Sequence, residues 1–149
     1  MMGNLDPSAR VAMVGVIPAQ QAAVGAISSG WVDMRNAFDV LATLNIGVIG
    51  AGGTIDARIE QATDAAGTGA KPVAGLAVAQ IVKAGGDNRQ AAINLRQEDM
   101  DKNANYRFAR ITVTVGGAAS FLSAMLVAFD LRYGAGGANQ LASVAQTVS

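Results

Sequence analysis

The sequence contains no cysteine and no histidine, and only 15% of its 149 residues are charged. Without cysteine the chain has no disulfide, no thiolate nucleophile and no zinc–sulfur site. Without histidine it lacks the side chain that most often transfers protons near neutral pH. Paired carboxylates or an activated lysine or serine could still support catalysis, but no spacing in the sequence marks such a group. We therefore predict that the protein is not an enzyme and binds no cofactor.

The sequence also lacks an excess of charge of either sign, because eleven basic residues balance eleven acidic ones. Balanced charge provides no field that would hold a nucleic acid backbone or an anionic membrane. In soluble domains about 25% of residues are normally charged. The low fraction of charged residues here predicts that partners cover part of the surface. We expect protein partners, with no nucleic acid, no membrane and no small-molecule substrate.

Two runs, residues 11–32 and 111–129, contain no charged side chain and are long enough to span a membrane. Their composition argues against this interpretation. The first run contains Pro18 and several polar residues, and Gly116 and Gly117 divide the second after a strand in which threonine alternates. Alternation with threonine is typical of a sheet rather than of a lipid-facing helix.

Apolar residues alternate with polar or small ones in residues 38–49, 54–63 and 121–131. A period of two is the repeat of a β-strand, and glycine clusters between the runs predict turns. The pattern predicts an all-β protein, a β-sandwich of about seven or eight strands in a Greek-key or jelly-roll arrangement. The side chains predicted to form most of the core are Phe38, Val40, Leu44, Ile46, Ile55, Ile59, Ile93, Leu95, Ile111, Val113, Met125, Val127 and Phe129.

The domain organisation follows from the same pattern. We predict a flexible N-terminal arm over residues 1–10, a single sandwich domain over 11–133 and a C-terminal tail over 134–149, so that the terminal arms are extended. Within the sandwich, the apolar phase changes along residues 103–115. This change predicts a β-bulge near Ala109 and Arg110, or a strand that is buried on both faces.

Glycine-rich and acidic segments resemble ligand-binding motifs only in part. Gly50 and Gly52 follow a strand, as in a dinucleotide site, but Ile55 stands where the third glycine belongs, which favours a hairpin turn. Lys71 lies near glycines but is followed by Pro72, unlike a phosphate-binding loop.

Residues 99–103 begin like a calcium-binding EF-hand loop, but Ala104 and Arg110 occupy the positions of its glycine and its bidentate glutamate. A calcium loop of another type, formed by Glu98, Asp99 and Asp101, remains an alternative to a solvated turn. We predict no metal site.

Four segments of the sequence resemble a known family: residues 30–34 (GWVDM), 50–64 (GAGGTIDARIEQATD), 93–100 (INLRQEDM) and 106–115 (YRFARITVTV). They resemble small β-sandwich virion proteins of tailed bacteriophages and related gene transfer agents, and the resemblance covers about residues 30–133. It implies a structural capsid decoration, or cement, protein on the outer surface of the virion. Such a protein clamps neighbouring major capsid protein subunits, often as a homotrimer.

Two other functions fit the sequence. A structural part of the phage neck or tail has the same general character. A carbohydrate-binding sandwich is the alternative from another class, and it predicts an exposed aromatic platform near Trp31 or Tyr133.

Both ends of the chain combine apolar side chains with few charges. We expect at least one arm to be ordered by a neighbouring subunit, whereas the alternative makes residues 11–17 the first strand of their own domain. The candidate interface residues are Val11, Met13, Val14, Val16, Ile17, Trp31, Leu141, Val144 and Val148.

Overall fold

A computed structural model describes residues 5–135, 137–140 and 142–148, and these residues form ten strands. The strands are β1 (Ala12–Ala22), β2 (Gly25–Ser28), β3 (Val32–Asp33), β4 (Ala37–Ile46), β5 (Thr54–Ala62), β6 (Lys71–Ala77), β7 (Ile81–Val82), β8 (Gln90–Arg96), β9 (Phe108–Gly116) and β10 (Ser120–Leu131). The short helical segments are Pro7–Ala9, Lys83–Gly86, Gln97–Asp99 and Lys102–Ala104. Among the residues that the structure describes, no helix has the length and apolar character needed to cross a membrane.

The strands form two antiparallel sheets. The first sheet has the order β1-β10-β4-β8, and the second has the order β2-β9-β5-β6, with β3 beside β9 and β7 beside β5. Because β2 and β3 lie along the same strand, and β6 and β7 do as well, each pair acts as one interrupted strand. The ten strands then count as eight, whose sheet orders are those of two Greek keys folded into a jelly roll. The predicted fold class is confirmed.

The core lies between the sheets and is built from alternate residues of the strands. Ile55 and Ile59 of β5 and Ile111 and Val113 of β9 point inward and are almost completely buried. Burying an aliphatic side chain of this size contributes about 1.5–3 kcal/mol relative to leaving it exposed. The predicted core residues that are buried are Val40, Leu44, Ile46, Ile55, Ile59, Ile93, Leu95, Ile111 and Val113.

The predicted orientation of β10 is wrong. Met125, Val127 and Phe129 point outward, and Phe129 is 36% exposed. Both sides of β10 are apolar, so alternation alone does not show which side faces the core. The side chains that face inward from β10 are Leu122, Ala124, Leu126 and Ala128.

Phe38 is also outside the core, because it is 47% exposed. It lies near the start of β4, opposite the stretch of β10 where Asp130 takes a left-handed conformation with φ of +49°. This irregularity disturbs the alternation at the end of the sheet, and Ala37 takes the buried position instead.

The structure shows no β-bulge at Ala109 and Arg110. The pairing of β5 with β9 continues without a register shift from Thr54 opposite Gly116 to Ala62 opposite Phe108. The alternative prediction was a strand buried on both faces. It is correct at the centre of β9, where Thr112 is buried on the outward side.

Residues 47–53 do not form the hairpin turn predicted at Gly50 and Gly52. They connect β4 in the first sheet to β5 in the second, so the two strands do not pair with each other. The turn signal identified the loop, but no local signal shows that the chain changes sheets there.

Candidate functional site

The outward side of the second sheet is polar, and we call it the polar face. Its centre is Glu60, which is only 6% exposed. The Glu60 carboxylate accepts hydrogen bonds from Arg58 Nη2 at 2.7 Å, Arg110 Nε at 2.9 Å and Thr112 Oγ1 at 2.9 Å. Other polar-face side chains from β2, β5 and β9 are Ala26, Ser28, Thr54, Asp56 and Thr114.

These donors determine the charge of Glu60. Burial raises the pKa of its carboxyl group, but the hydrogen bonds from Arg58, Arg110 and Thr112 outweigh burial, so the pKa lies below its usual range. Glu60 is therefore ionised near neutral pH, with its oxygens engaged by neighbouring donors. This arrangement suits a structural role better than proton transfer.

Trp31 covers the same region. The guanidinium of Arg110 lies 4.3 Å from the centre of the Trp31 ring, a cation–π contact. Gly67 packs on the indole so closely that a Cβ atom there would lie 2.8 Å from Trp31 Nε1. The half-buried Trp31 ring is thus engaged inside the protein, which disfavours the carbohydrate platform predicted near it. Tyr133, the other aromatic residue near which that platform was predicted, is 82% exposed.

The loop of residues 63–70 brings Gly67 to this position. Asp64 Oδ1 accepts hydrogen bonds from the backbone N–H groups of Ala66 at 2.9 Å and Thr68 at 3.0 Å. Hydrogen bonds from Thr68 are the main cause that lowers the pKa of Asp64. The loop and Trp31 together cover the part of the polar face around Arg110 with the chain's own groups.

The outward side of the first sheet is different, and we call it the apolar face. Val127 of β10 pairs with Met13 of β1 and with Leu41 of β4, which places three apolar side chains in one row across the sheet. The next row contains Val16 and Met125, followed by Thr43 of β4, and β8 adds the polar side chains Asn94 and Arg96 at the rim. The large apolar side chains of the apolar face are Met13, Val16, Leu41, Phe121, Met125, Val127 and Phe129.

The described part of the chain provides no further layer over the apolar face. All its strands belong to the two sheets, and its helical segments have three or four residues, which is too short to cover four strands. In the described tail residues 142–148, every side chain is exposed except the half-buried Val144. Within the described residues, the apolar face is therefore partly open to solvent, with Phe121 and Phe129 its most exposed side chains.

The predicted N-terminal interface residues lie in or beside β1, which pairs with β10 of the same domain. Ile17 is completely buried, and Val14 packs against the core. Met13 and Val16 belong to the apolar face, and Val11 is half-buried just before β1. The structure thus places residues 12–17 in the domain's own sheet.

The C-terminal residues contact the edge of β1. Gln140 N donates a hydrogen bond to Met13 O at 2.8 Å, and Met13 N donates one to Asn139 Oδ1 at 2.8 Å. Of the candidate interface residues in the tail, Val148 is 79% exposed. Leu141 lies outside the described residues.

A second apolar surface lies at one end of the sandwich, where residues 23–24, 47–53, 83–89 and 117–119 connect the strands. We call it the loop end. Its exposed apolar side chains are Val24 at 59%, Val48 at 51%, Val82 at 44% and Phe121 at 49%. Phe121 is shared with the apolar face and lies beside Val48, because Phe121 N donates a hydrogen bond to Val48 O at 3.0 Å.

Side-chain hydrogen bonds hold the loop end together. Asp87 accepts a hydrogen bond from Ile49 N at 2.8 Å, while Lys83 Nζ donates to Ile49 O at 2.8 Å and to Asp87 at 2.9 Å. The hydrogen bond from Lys83 is the main cause that lowers the pKa of Asp87. Gly50 N donates to Ser120 Oγ at 3.1 Å. Three of the four loops are therefore tied into one structure.

The carboxylates of the alternative calcium loop bind separate partners. Asp99 accepts a hydrogen bond from Arg96 N, Glu98 pairs with the Arg96 guanidinium, and Asp101 pairs with Lys71 at 2.7 Å. The hydrogen bond between Lys71 and Asp101 raises the pKa of the lysine and lowers that of the aspartate. Within the described ranges, no group of three or more acidic side chains could hold a metal ion.

No protein-family model matches the chain, and no curated protein sequence matches it. Among solved structures, a chain from the cryo-EM structure of Broad Bean Stain Virus has a TM-score of 0.46 and 9% identity, over 87% of this chain and 90% of that chain. A chain from naturally occurring empty particles of Cowpea mosaic virus has a TM-score of 0.41 and 10% identity, over 85% of each chain. A chain from an empty virus-like particle of Cowpea mosaic virus has a TM-score of 0.40 and 10% identity, over 87% of this chain and 84% of that chain. These values compare strand arrangement, and a fold does not imply a function.

Proposed function

We propose that the protein is a non-enzymatic structural component of a virion and, more narrowly, a head decoration protein on the outer surface of the capsid. The uneven surface of the jelly roll carries this proposal. The chain satisfies the buried charge of its polar face with its own side chains, whereas the apolar face and the loop end present apolar side chains to solvent. The jelly-roll architecture occurs in viral capsid domains. Four segments within residues 30–133 also resemble sequences of virion proteins.

We assign the contact with the major capsid protein to the loop end. Val48 is exposed there on a loop that Lys83, Asp87 and Ser120 hold in place. Phe121 is exposed at the start of β10, and Val24 is exposed on the neighbouring loop. A surface that is already ordered loses less conformational entropy on binding than a flexible one. Repetition of such a contact over a symmetric shell adds avidity to each modest interaction. The resemblance further implies that the bound form is a homotrimer.

Quantitative mass spectrometry of purified virions tests the virion role. We expect a copy number comparable to that of the major capsid protein, and antibodies should label the outside of intact heads. A copy number equal to the number of subunits in one small ring per virion would instead identify a neck or tail component. Absence from purified virions would contradict the proposal.

Binding to heads that lack the protein tests the loop end. Val48→Asp places a charge in the proposed contact, where an unpaired buried charge is costly, so binding should weaken at least about tenfold. Ala26→Asp adds the same charge to the exposed part of the polar face and should bind like the unaltered protein. Equal binding by both folded variants would show that the contact lies elsewhere.

A further inference from the structure

We infer that the apolar face is the surface through which copies of this chain associate with each other. The inference rests on the proposed function, because it names the partner of one of the two apolar surfaces on which that function depends. The occupant of the apolar face is a second copy of this chain.

The composition of the apolar face is that of a contact surface. Val127 and Met125 lie at its centre, with Met13 on the strand to one side and Leu41 on the strand to the other. These side chains are half-buried by their neighbours within the sheet but have no described layer above them. Monomeric proteins seldom expose a contiguous apolar patch larger than a few hundred Å².

The size of the apolar face fits a protein contact. From Phe121 to Phe129 it is about 27 Å long, and its four strands are about 19 Å wide, at the usual rise per residue and spacing between strands. The outward side of the sheet therefore covers about 500 Å² per copy, with its apolar centre on β1, β10 and β4 and polar side chains such as Asn94 and Arg96 of β8 at its rim. Two copies that meet bury about 1,000 Å² with the polar rim included, the lower limit of a specific interface. Packing of one sheet face on another is also the ordinary way in which β-sheets bury apolar surface.

The charges at the apolar face favour a copy of the same chain over a charged partner. Asp39 of β4, Arg96 of β8 and Asp130 of β10 lie together at one end of the sheet, and the Arg96 guanidinium pairs with Glu98. The two central rows, around Val127 and Met125, contain no charged side chain that would pair with a charged partner. The whole chain has a net charge of zero, and copies are not kept apart by long-range repulsion. Nucleic acid or an anionic membrane would find no positive surface here.

The described tail does not occupy the apolar face. Asn139 and Gln140 contact the backbone of Met13 at the edge of β1. Beyond them, residues 142–148 are exposed apart from the half-buried Val144. A segment packed across the sheet would bury its own apolar side chains, whereas Val148 is 79% exposed.

Sedimentation equilibrium of the full chain tests the inference from low to high micromolar concentration. We expect the unaltered protein to form an oligomer of two or three copies, and Val127→Asp to raise the dissociation constant at least about tenfold, because the new charge would be buried without a partner. Ala26→Asp, the matched change on the polar face, should associate normally. Circular dichroism and thermal melting confirm that the variants are folded.

A second measurement does not depend on adding charge. Because the chain contains no cysteine, Val127→Cys and Ala26→Cys each provide a unique thiol for a spin label. In pulsed EPR of associated copies, labels introduced through Val127→Cys are expected within interface range, whereas labels introduced through Ala26→Cys are expected far apart. The opposite distances would place the contact on the polar face and overturn the inference.

The outcomes separate this inference from the proposed function. A protein that remains monomeric at high concentration, or an oligomer that persists in folded Val127→Asp, overturns the inference. If the same protein is abundant in purified virions, the proposed function still stands. Association through the apolar face by a protein that is absent from virions would support the inference and contradict the proposed function.

Discussion

The two outward faces of the sandwich have similar strand geometry but opposite chemistry. On the polar face, Glu60 is buried by donors from Arg58 and Arg110, and Trp31 stacks on Arg110. On the apolar face, Met125 and Val127 have no described intramolecular layer above them. The chain itself thus satisfies the buried charge at the centre of the polar face, whereas the part of the chain that the structure describes leaves the apolar face partly open to solvent.

The comparison also separates stability from association. Residues that are buried within one chain stabilise the fold, and residues that only a partner can bury contribute to association. The two sides of β10 and the two outward faces of the sheets provide matched positions at which these contributions can be measured.

The largest effect is expected inside the sandwich. Leu126 is 2% exposed, so Leu126→Ala should lower the free energy of unfolding by about 2–5 kcal/mol. Its neighbour Val127 points outward, and Val127→Ala should cost less than about 1 kcal/mol in the monomer. Phe129→Ala, on the same outward side, is also expected to cost less than about 1 kcal/mol. Urea unfolding at low protein concentration measures all three, and equal losses for Leu126→Ala and Val127→Ala would contradict the assigned faces.

The next largest effect concerns the polar face. Glu60→Ala removes the shared acceptor of Arg58, Arg110 and Thr112, and should cost about 1–3 kcal/mol because the buried Thr112 and the partly buried Arg110 lose their acceptor. Asp56→Ala on the same strand removes an exposed hydrogen bond from Gln80 and should change stability by less than about 0.5 kcal/mol. Chemical denaturation compares the two variants. Similar small losses would show that Glu60 does not organise the polar face.

A smaller effect tests the contact between Trp31 and the loop of residues 63–70. Gly67 and Gly75 both have positive φ, at +86° and +77°, so alanine at either position should cost about 1–2 kcal/mol. Only Gly67 has a close neighbour, Trp31, and nothing lies within 4 Å of a Cβ at Gly75. Gly67→Ala should therefore also shift the fluorescence of Trp31, the only tryptophan. An unchanged spectrum would argue against the contact.

The smallest effect is the dependence of stability on pH. The pKa of Glu60 is lower in the folded protein than in the unfolded chain, so its ionised form stabilises the fold above the unfolded pKa. This contribution is lost as pH falls below about 4 and through the folded pKa. Glu60→Gln should lose less stability than the unaltered protein between neutral and acidic pH. Thermal melting measures the difference, and parallel losses would assign acid sensitivity to other carboxylates, such as Asp64, Asp87 and Asp101, whose pKa values are also lowered.

The candidate contact surfaces were only partly predictable. Met13 and Val16 were identified as interface residues from their apolar character, and the structure places both on the apolar face. Val24, Val48 and Phe121 were not identified, because they lie in separate parts of the sequence, and Val48 and Phe121 belong to runs that predict strands. The strand register brings them to one end of the sandwich. The buried charge of Glu60 was missed as well, since alternation marks it only as an outward polar residue.

Local patterns in the sequence were enough to identify the fold class and most of the core. Alternation in β4, β5, β8 and β9 has one apolar and one more polar phase, so the inward side chains Leu44, Ile59, Leu95 and Ile111 could be identified from a local pattern. The tertiary structure alone decided the orientation of β10. Both of its phases are apolar, and the choice depends on which side packs across the sandwich. Only the fold pairs β10 with β1 and β4, and this pairing turns isolated apolar residues into a continuous surface.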